Sequence, residues 1–373
     1  MVIAQGGDDE RERSSMSKIQ WYMAATYIGA IVGAGFASGQ ETLTFFVTYG
    51  VSGLRGILVV TIGFAVMGAL SFGLAQAMEL GSYRQLLQTI SGHRWVVYYD
   101  ITITCFLLAG VGVMLAGAGS LVHQQWAQPP LLGVLITALV AGISCYKGIN
   151  GIFYINGLLV PGILLATAAL GLVGLKNLVP CVWEWGDEVL WDVSPSPLVP
   201  NWWLAAIIYL SYNSMLGIAA CTPLAGSIPK RKMAIWGGAM GGLTLGFLLL
   251  SGSVAIWGMG PEATRLAVPM AWIATDIHPM AGSFYGITIW SAMLTTAATN
   301  LFAVVKRLGQ RPEIGTLSVL LALAFSLSLM GFSALIELLY PVFGYMGCLY
   351  TIQTLVFFCR QWGSQITARW RRL

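Results

Sequence analysis

Glu41 ends the run Gly29-Ala30-Ile31-Val32-Gly33-Ala34-Gly35-Phe36-Ala37-Ser38-Gly39-Gln40-Glu41, where glycines crowd an apolar stretch. A carboxylate beside loosened backbone suits the holding of a cation or a small charged solute, with free carbonyls and amides as further partners. Three more sets place polar atoms within apolar runs: Tyr209-Leu210-Ser211-Tyr212-Asn213, Thr295-Thr296, and Glu337. Paired hydroxyls and carbonyls are hard oxygen ligands, which favour a hard cation.

The elements that must position these groups are membrane spans. Hydrophobic residues make up 57% of the 373 positions and charged residues 9%, where a soluble domain carries about 25% charged. Mean hydropathy is +0.76. The chain reads as an all-α polytopic membrane protein. Apolar segments fall at 19–50, 53–79, 96–122, 129–146, 149–175, 201–226, 233–258, 280–305, 314–332 and 333–359, so about ten spans are expected. The last division rests on Gly331 and Ser333.

The first segment is too long for one straight span. As a helix it would extend roughly 48 Å, against a bilayer core of about 30 Å. Its middle holds the glycines, and Ser38 with Glu41 reads as a hydroxyl cap and first-turn carboxylate of a second half-helix. The pattern predicts a half-helix, an unwound step and another half-helix. Gly29-xxx-Gly33 also fits close packing on a neighbouring helix.

Lysine and arginine set the orientation. With the N-terminus inside, Arg11, Arg13, Lys18, Arg84, Arg94, Lys147, Lys230, Arg231, Lys232, Lys306, Arg307, Arg311, Arg360, Arg369, Arg371 and Arg372 fall inside; Arg55, Lys176 and Arg265 fall outside. The protein is expected in the cell (inner) membrane with both termini cytoplasmic. The net charge of +4 then reports topology, so the lipid bilayer and no nucleic acid is the expected partner. Residues 1–18 read as a disordered cytosolic tail, with Met16 a second candidate start. The rest divides into 19–175, an outer loop 176–200, 201–360 and a basic tail 361–373. In the outer loop, Trp183, Trp185 and Trp191 with Glu184, Asp187, Glu188 and Asp192 read as an interfacial belt. Pro261, Pro269 and Pro279 mark a loop that could cover an outer entrance.

Enzyme chemistry finds no support. HExxH, GxSxG and a Walker lysine do not occur, and Gly33-x-Gly35-xxx-Gly39 lacks a βαβ context. His93, His123 and His278 fall near different faces, so no metal site or other cofactor is expected. Six cysteines without a CxxC pair read as small apolar residues. A channel would want rings of groups from several subunits.

Tyr209 to Gly217 predicts a second break, five spans after the first, because serine and asparagine compete for backbone groups. An offset of five, an odd number, inverts the second unit relative to the first. Paired interruptions in corresponding places of two halves point to a transporter site.

The run from Val32 to Glu41 resembles the signature of the YkvI-like membrane proteins, grouped with amino-acid permeases in the amino acid–polyamine–organocation superfamily. The resemblance extends over the chain from about Ile19. It implies a LeuT-type fold of five-plus-five inverted repeats, with spans one and six broken. It implies a secondary transporter of an amino acid or amino-acid-like solute, working by alternating access with sodium symport as its mode; the alternative is proton-coupled transport of an amino acid or a nucleobase-like solute. By that resemblance the carbonyls of Gly29 and Val32 and the hydroxyls of Thr295 and Thr296 would hold sodium as coupling cation. Proton-coupled members place a lysine in span five, whereas here Lys147 stands only at its inner mouth; a proton would use Glu41 or Glu337. The small-molecule substrate would rest its carboxylate on the amides of Gly33, Ala34, Gly35, Phe36, Ser38 and Gly39. Its ammonium would meet carbonyls from Tyr209 to Asn213 and Glu41, with Gln40 beside it and Phe106 and Tyr212 as walls. Glu337 matches an outer-gate acid, but the family's arginine partner on span one is replaced by Gln40 and Glu41. The metal-transporting branch carries an Asp-Pro-Gly-Asn motif that is missing here.

Overall fold

The computed structural model describes residues 4–147, 150–185, 194–309 and 313–370. Its regular structure, among these residues, is helical throughout. The first segment is in pieces: α1 (Ala4–Ile31), α2 (Ala34–Ser38), α3 (Gln40–Phe45) and a 3-10 turn, Val47–Tyr49. There follow α4 (Val51–Ala77), α5 (Tyr83–Ser91), α6 (His93–Trp126), α7 (Pro130–Lys147) and α8 (Asn150–Trp185). The second half holds α9 (Trp202–Ser227), α10 (Arg231–Met259), α11 (Pro261–Thr264), α12 (Pro269–Ile277), α13 (Pro279–Arg307), α14 (Ile314–Ser328) and α15 (Phe332–Trp370). Eight of these are long and apolar enough to cross a membrane. The interrupted first segment and the shorter α14 complete the ten read from the sequence. Gly331, at φ +87°, separates α14 from α15, because only glycine takes that backbone cheaply.

Helix packing repeats after five spans. α1 packs on α10 as α9 packs on α4; α6 on α14 as α13 on α7; α6 on α15 as α13 on α8; α4 on α15 as α10 on α8. Each pair becomes its partner when every span is exchanged with the one five places away. The pattern is incomplete in two places among the described residues: α9 packs along α15 and α14 touches α15, without matching seams of α1 on α8 and of α7 on α8.

Small residues let these helices approach. On the α4–α10 seam, a methyl on Gly68 would lie 2.8 Å from the Gly238 carbonyl oxygen, and one on Gly242 2.3 Å from the Ala65 nitrogen. Van der Waals contact between backbones is the main attraction available where lipid already matches apolar side chains.

Three expectations need correction. Residues 4–18, expected as a disordered tail, continue α1. The proline-rich stretch after α10 is not a bare loop but the short helices α11 and α12. And span six is not broken: α9 runs through Tyr209–Gly217 without interruption. The reason is local. Ser211 Oγ donates to the Ile207 carbonyl at 2.7 Å and Asn213 Nδ2 to the Tyr209 carbonyl at 3.1 Å. These two side chains bond back onto the preceding turn, so the helix need not open. Of the outer-loop belt, residues 186–193 lie outside the described residues.

Candidate functional site

The break in the first span forms where glycine permits it. Val32 N–H closes the last turn of α1 on Ile28 at 2.7 Å, but Gly33 N–H donates to Ile31 at 2.9 Å. That turn withdraws the amide that would meet the Gly29 carbonyl in a continuing helix. Gly33 then starts α2 with no side-chain cap. A second corner follows at Gly39, φ +85°. A methyl there would also lie 2.7 Å from Met270 Cγ, so conformation and space both demand glycine. Ser38 pins the corner, donating to Gly35 at 2.7 Å and accepting from Gln40 N–H at 3.2 Å. The expected half-helix with Glu41 in its first turn is α3, which begins at Gln40 with Gly39 rather than Ser38 at its N-cap; a further short helix, α2, precedes it from Ala34 to Ser38. From α13, the buried Tyr285 hydroxyl donates to the Ala37 carbonyl at 2.9 Å.

Beyond the corner, α3 carries Gln40 and Glu41 to opposite sides. Glu41 is 5% exposed and accepts from the Tyr212 hydroxyl at 3.0 Å. Its other oxygen lies so close to Gly35 that a methyl there would stand 2.3 Å away, and 3.1 Å from the Tyr340 hydroxyl. Aromatic rings enclose the carboxylate. Tyr212 meets Tyr209 at 5.4 Å, Tyr340 at 5.2 Å and Phe106 at 5.9 Å between centroids.

Glu41 lines a cavity of about 390 Å³. Gly29, Val32, Gly33, Ala34 and Gly35 line it from the break, Phe106 from α6, Tyr212 and Asn213 from α9, and Tyr340 from α15. Val160 and Ile163 of α8 border it, and a methyl on Gly29 would lie 3.9 Å from Val160 Cγ1 across it. It continues along α13 past Thr296, Thr299 and Asn300 to Arg307, about 22 Å of helix rise from Ala292. Arg307 at that end is tied to Asp100 at 3.1 Å and to the Tyr83 hydroxyl at 2.7 Å. Arg84 and Tyr83 also bond Asp100. Burial, then the bond to Asp100, push the Tyr83 phenol up from its ordinary value.

Gln40 faces a separate cavity of about 190 Å³ with Thr44, Thr48, Arg265, Ser333 and Glu337. With its amide oriented to satisfy both ends, Gln40 donates to the Leu266 and Ala267 carbonyls and accepts from Ser333, each at 3.2 Å. It thus ties α3 to the α11–α12 connection and to α15. Arg265, exposed, is the arginine that shares this cavity with Glu337.

Of the expected site residues, the structure brings Gly29, Val32, Gly33, Ala34, Gly35, Glu41, Phe106, Tyr212, Asn213 and Thr296 to one cavity. Phe36, Ser38 and Gly39 are buried but do not line it, Tyr209 stands behind Tyr212, and Gln40 and Glu337 belong to the second cavity. Thr295 is turned inward and donates to the Ala292 carbonyl at 3.1 Å, so it does not pair with Thr296. Thr299, Asn300, Tyr340 and Arg307 were missed. The first two lie three and four residues after Thr296, the spacing of one helix face, and that spacing was available as a signal. The Thr299 hydroxyl is buried without a hydrogen-bond partner among the described residues. No group of three His, Cys, Asp or Glu side chains gathers as a metal site among the described residues.

No family model matches the chain. It is similar over most of its length to two Bacillus subtilis (strain 168) proteins. It is 27% identical to the uncharacterized membrane protein YkvI over 343 residues, 90% of this chain and 94% of that one. It is 22% identical to the uncharacterized protein YyaD over 320 residues, 85% and 90%. Among solved structures, it resembles MhsT in complex with L-phenylalanine, with TM-score 0.54 and 16% identity, covering 90% of this chain and 97% of that one. It also resembles a sodium-coupled sialic acid symporter, with TM-score 0.53 and 10% identity over 91% and 78%. A manganese transporter of Eremococcus coleocola matches with TM-score 0.57 and 14% identity over 92% and 79%. The fold is the LeuT type, as the resemblance implied. The three neighbours are described with L-phenylalanine, sialic acid and manganese, so the fold alone does not name a ligand for this chain.

Proposed function

We propose that this LeuT-fold membrane protein, similar to YkvI, is a secondary active transporter and not an enzyme or a channel. Its cargo is an amino acid or an amino-acid-like small solute, moved by alternating access and driven by sodium symport. One observation carries the reading: adjacent residues at the break, Gln40 and Glu41, line two separate cavities that share no lining residue. A pore would join them; a carrier keeps them apart and exposes one at a time. The cavity that holds Glu41 runs along α13 to Arg307, which fits a carrier open on the side of its N-terminus. The charge bias makes that open side cytoplasmic in a cell membrane.

The coupling cation would take the carbonyls of Gly29 and Val32 and the hydroxyl of Thr296. Support comes from the Gly33 amide, which turns to Ile31 and leaves the Gly29 carbonyl without its helical donor. Thr296 borders the same cavity, and Thr299 is nearer to hand than Thr295. The substrate's carboxylate would meet the uncapped amides of Ala34 and Gly35, and its ammonium Glu41. With α9 intact, carbonyls from Tyr209 to Asn213 drop out as ligands. A proton-coupled reading rests on Glu41 as the carrier, because it is the carboxylate in the cavity.

Uptake into proteoliposomes from an amino-acid panel, under imposed sodium or proton gradients, tests the function. Saturable uptake that needs an inward sodium gradient is expected. Uptake that follows the proton gradient and is lost in Glu41→Gln favours the second reading; equal flux without saturation defeats the carrier.

A further inference from the structure

We propose that this cavity recognises its ligand by an ammonium group alone, so that cationic amines without a carboxylate bind it at least as well as the amino acids of the same side chain. This rests on the transport reading and narrows its substrate class.

The argument begins with charge. Glu41 is almost wholly buried, and an isolated carboxylate in such a place is costly unless a cation or a set of donors meets it. Tyr212 supplies one donor. The other charged residue lining the cavity is Arg307, and it is already committed to Asp100 and Tyr83. It is also remote. Tyr285 of α13 touches Ala37 near the break, and from there to Arg307 the helix rises about 33 Å. The end of the cavity that holds Glu41 is therefore anionic, with no cationic side chain lining it among the described residues.

The walls have the matching character. Tyr212, Tyr340 and Phe106 border the cavity beside Glu41, with ring centroids 5.2–5.9 Å apart, and Phe343 backs Phe106 at 4.9 Å. Ring faces attract a cation, and a box of them suits an alkylammonium. Further along, Ile103, Leu107, Val160 and Leu216 offer an apolar lining for the ligand's body. A ligand carboxylate finds less. Its candidate partners are backbone amides at the start of α2, a helix of five residues, with no arginine or lysine beside them. Removing the carboxylate from a ligand thus sacrifices little and raises its net charge toward what Glu41 favours.

The test uses the purified full chain and two matched series. They are leucine, isoamylamine, N-acetylleucine and 4-methylpentanoate, and phenylalanine with its corresponding amine, N-acetyl form and deaminated acid. Binding is read by thermal shift, and competition by uptake of the labelled amino acid into vesicles. The amine should bind as tightly as the amino acid or tighter. The N-acetyl form and the acid should bind at least about 30-fold more weakly, the loss expected when one partner of a desolvated charge pair is removed. Glu41→Gln should erase that order, while Phe106→Leu should weaken the amines and leave the acid unchanged. An N-acetyl form or acid that binds as well as the amine overturns the inference. So does an order unchanged in Glu41→Gln. Amino-acid uptake that no amine inhibits overturns it while leaving the transport reading standing; vesicles that take up no member of either series defeat both.

Discussion

The Tyr212 hydroxyl donates to Glu41 at 3.0 Å across 171 positions of sequence, joining the broken first span to the intact sixth. This bond holds the one carboxylate that, among the described residues, lines the cavity beside the unwound backbone. It makes α9 a partner of the break without α9 itself coming apart.

Breaking that bond should be felt in transport. Tyr212→Phe keeps the ring and removes the donor, and should cost about 1.5–3 kcal/mol in kcat/KM, the range for a hydrogen bond to a charged group. Glu41→Gln should cost at least as much. The double variant should cost well under the sum, because both residues belong to one network. Initial uptake rates of the three variants in proteoliposomes measure this; additive losses would mean the two residues act separately.

The two threonines of α13 should separate cleanly. Thr296→Val is expected to raise the sodium concentration for half-maximal uptake by about tenfold or more, roughly 1.4 kcal/mol. Thr295→Val should leave it unchanged, since that hydroxyl already serves the Ala292 carbonyl. Sodium titrations of uptake decide it, and an effect of equal size at both positions refutes the assignment.

Three glycines of the break predict three outcomes. Gly33→Ala should be tolerated, because its φ is −99° and a methyl meets nothing within 4 Å. Gly35→Ala drives a methyl into Glu41 and Tyr340, and should abolish transport at a stability cost of about 1–3 kcal/mol. Gly39→Ala adds a left-handed backbone penalty of about 1–2 kcal/mol to its collision with Met270, and should lower the melting temperature most. Thermal melts and uptake on the same preparations check the order.

Access should differ by side. With native cysteines replaced, Thr299→Cys and Ala303→Cys should react with a membrane-impermeant maleimide added on the side of the N-terminus. Thr48→Cys should react only from the other side. Sodium with substrate should slow the first pair. Labelling of Thr299→Cys and Thr48→Cys from one and the same side would remove the two-cavity arrangement.

The break was legible because its causes are local. Four glycines in thirteen residues, in a run too long for one crossing, leave few other conformations. The same holds for the span count and for the Gly331 division, where hydropathy and backbone freedom act residue by residue. The expected second break failed because Ser211 and Asn213 can either open a helix or bond back within it, and the sequence is the same in both cases. Packing around Tyr212 and Glu41 decides between them.

What the sequence by itself determined is a polytopic membrane chain with an unwound step before Glu41, because hydrophobicity and glycine's backbone freedom need no partners to act. Which face of each helix looks inward needed the tertiary structure. Gln40 and Glu41 are neighbours in sequence and part company at a corner; Thr295 and Thr296 likewise; Tyr340 and Arg307 reach the cavity only through helices that pack from far along the chain. Side-chain direction is set by packing between helices, and in a membrane that packing comes from close shape fit rather than from any hydrophobic signal a single segment displays.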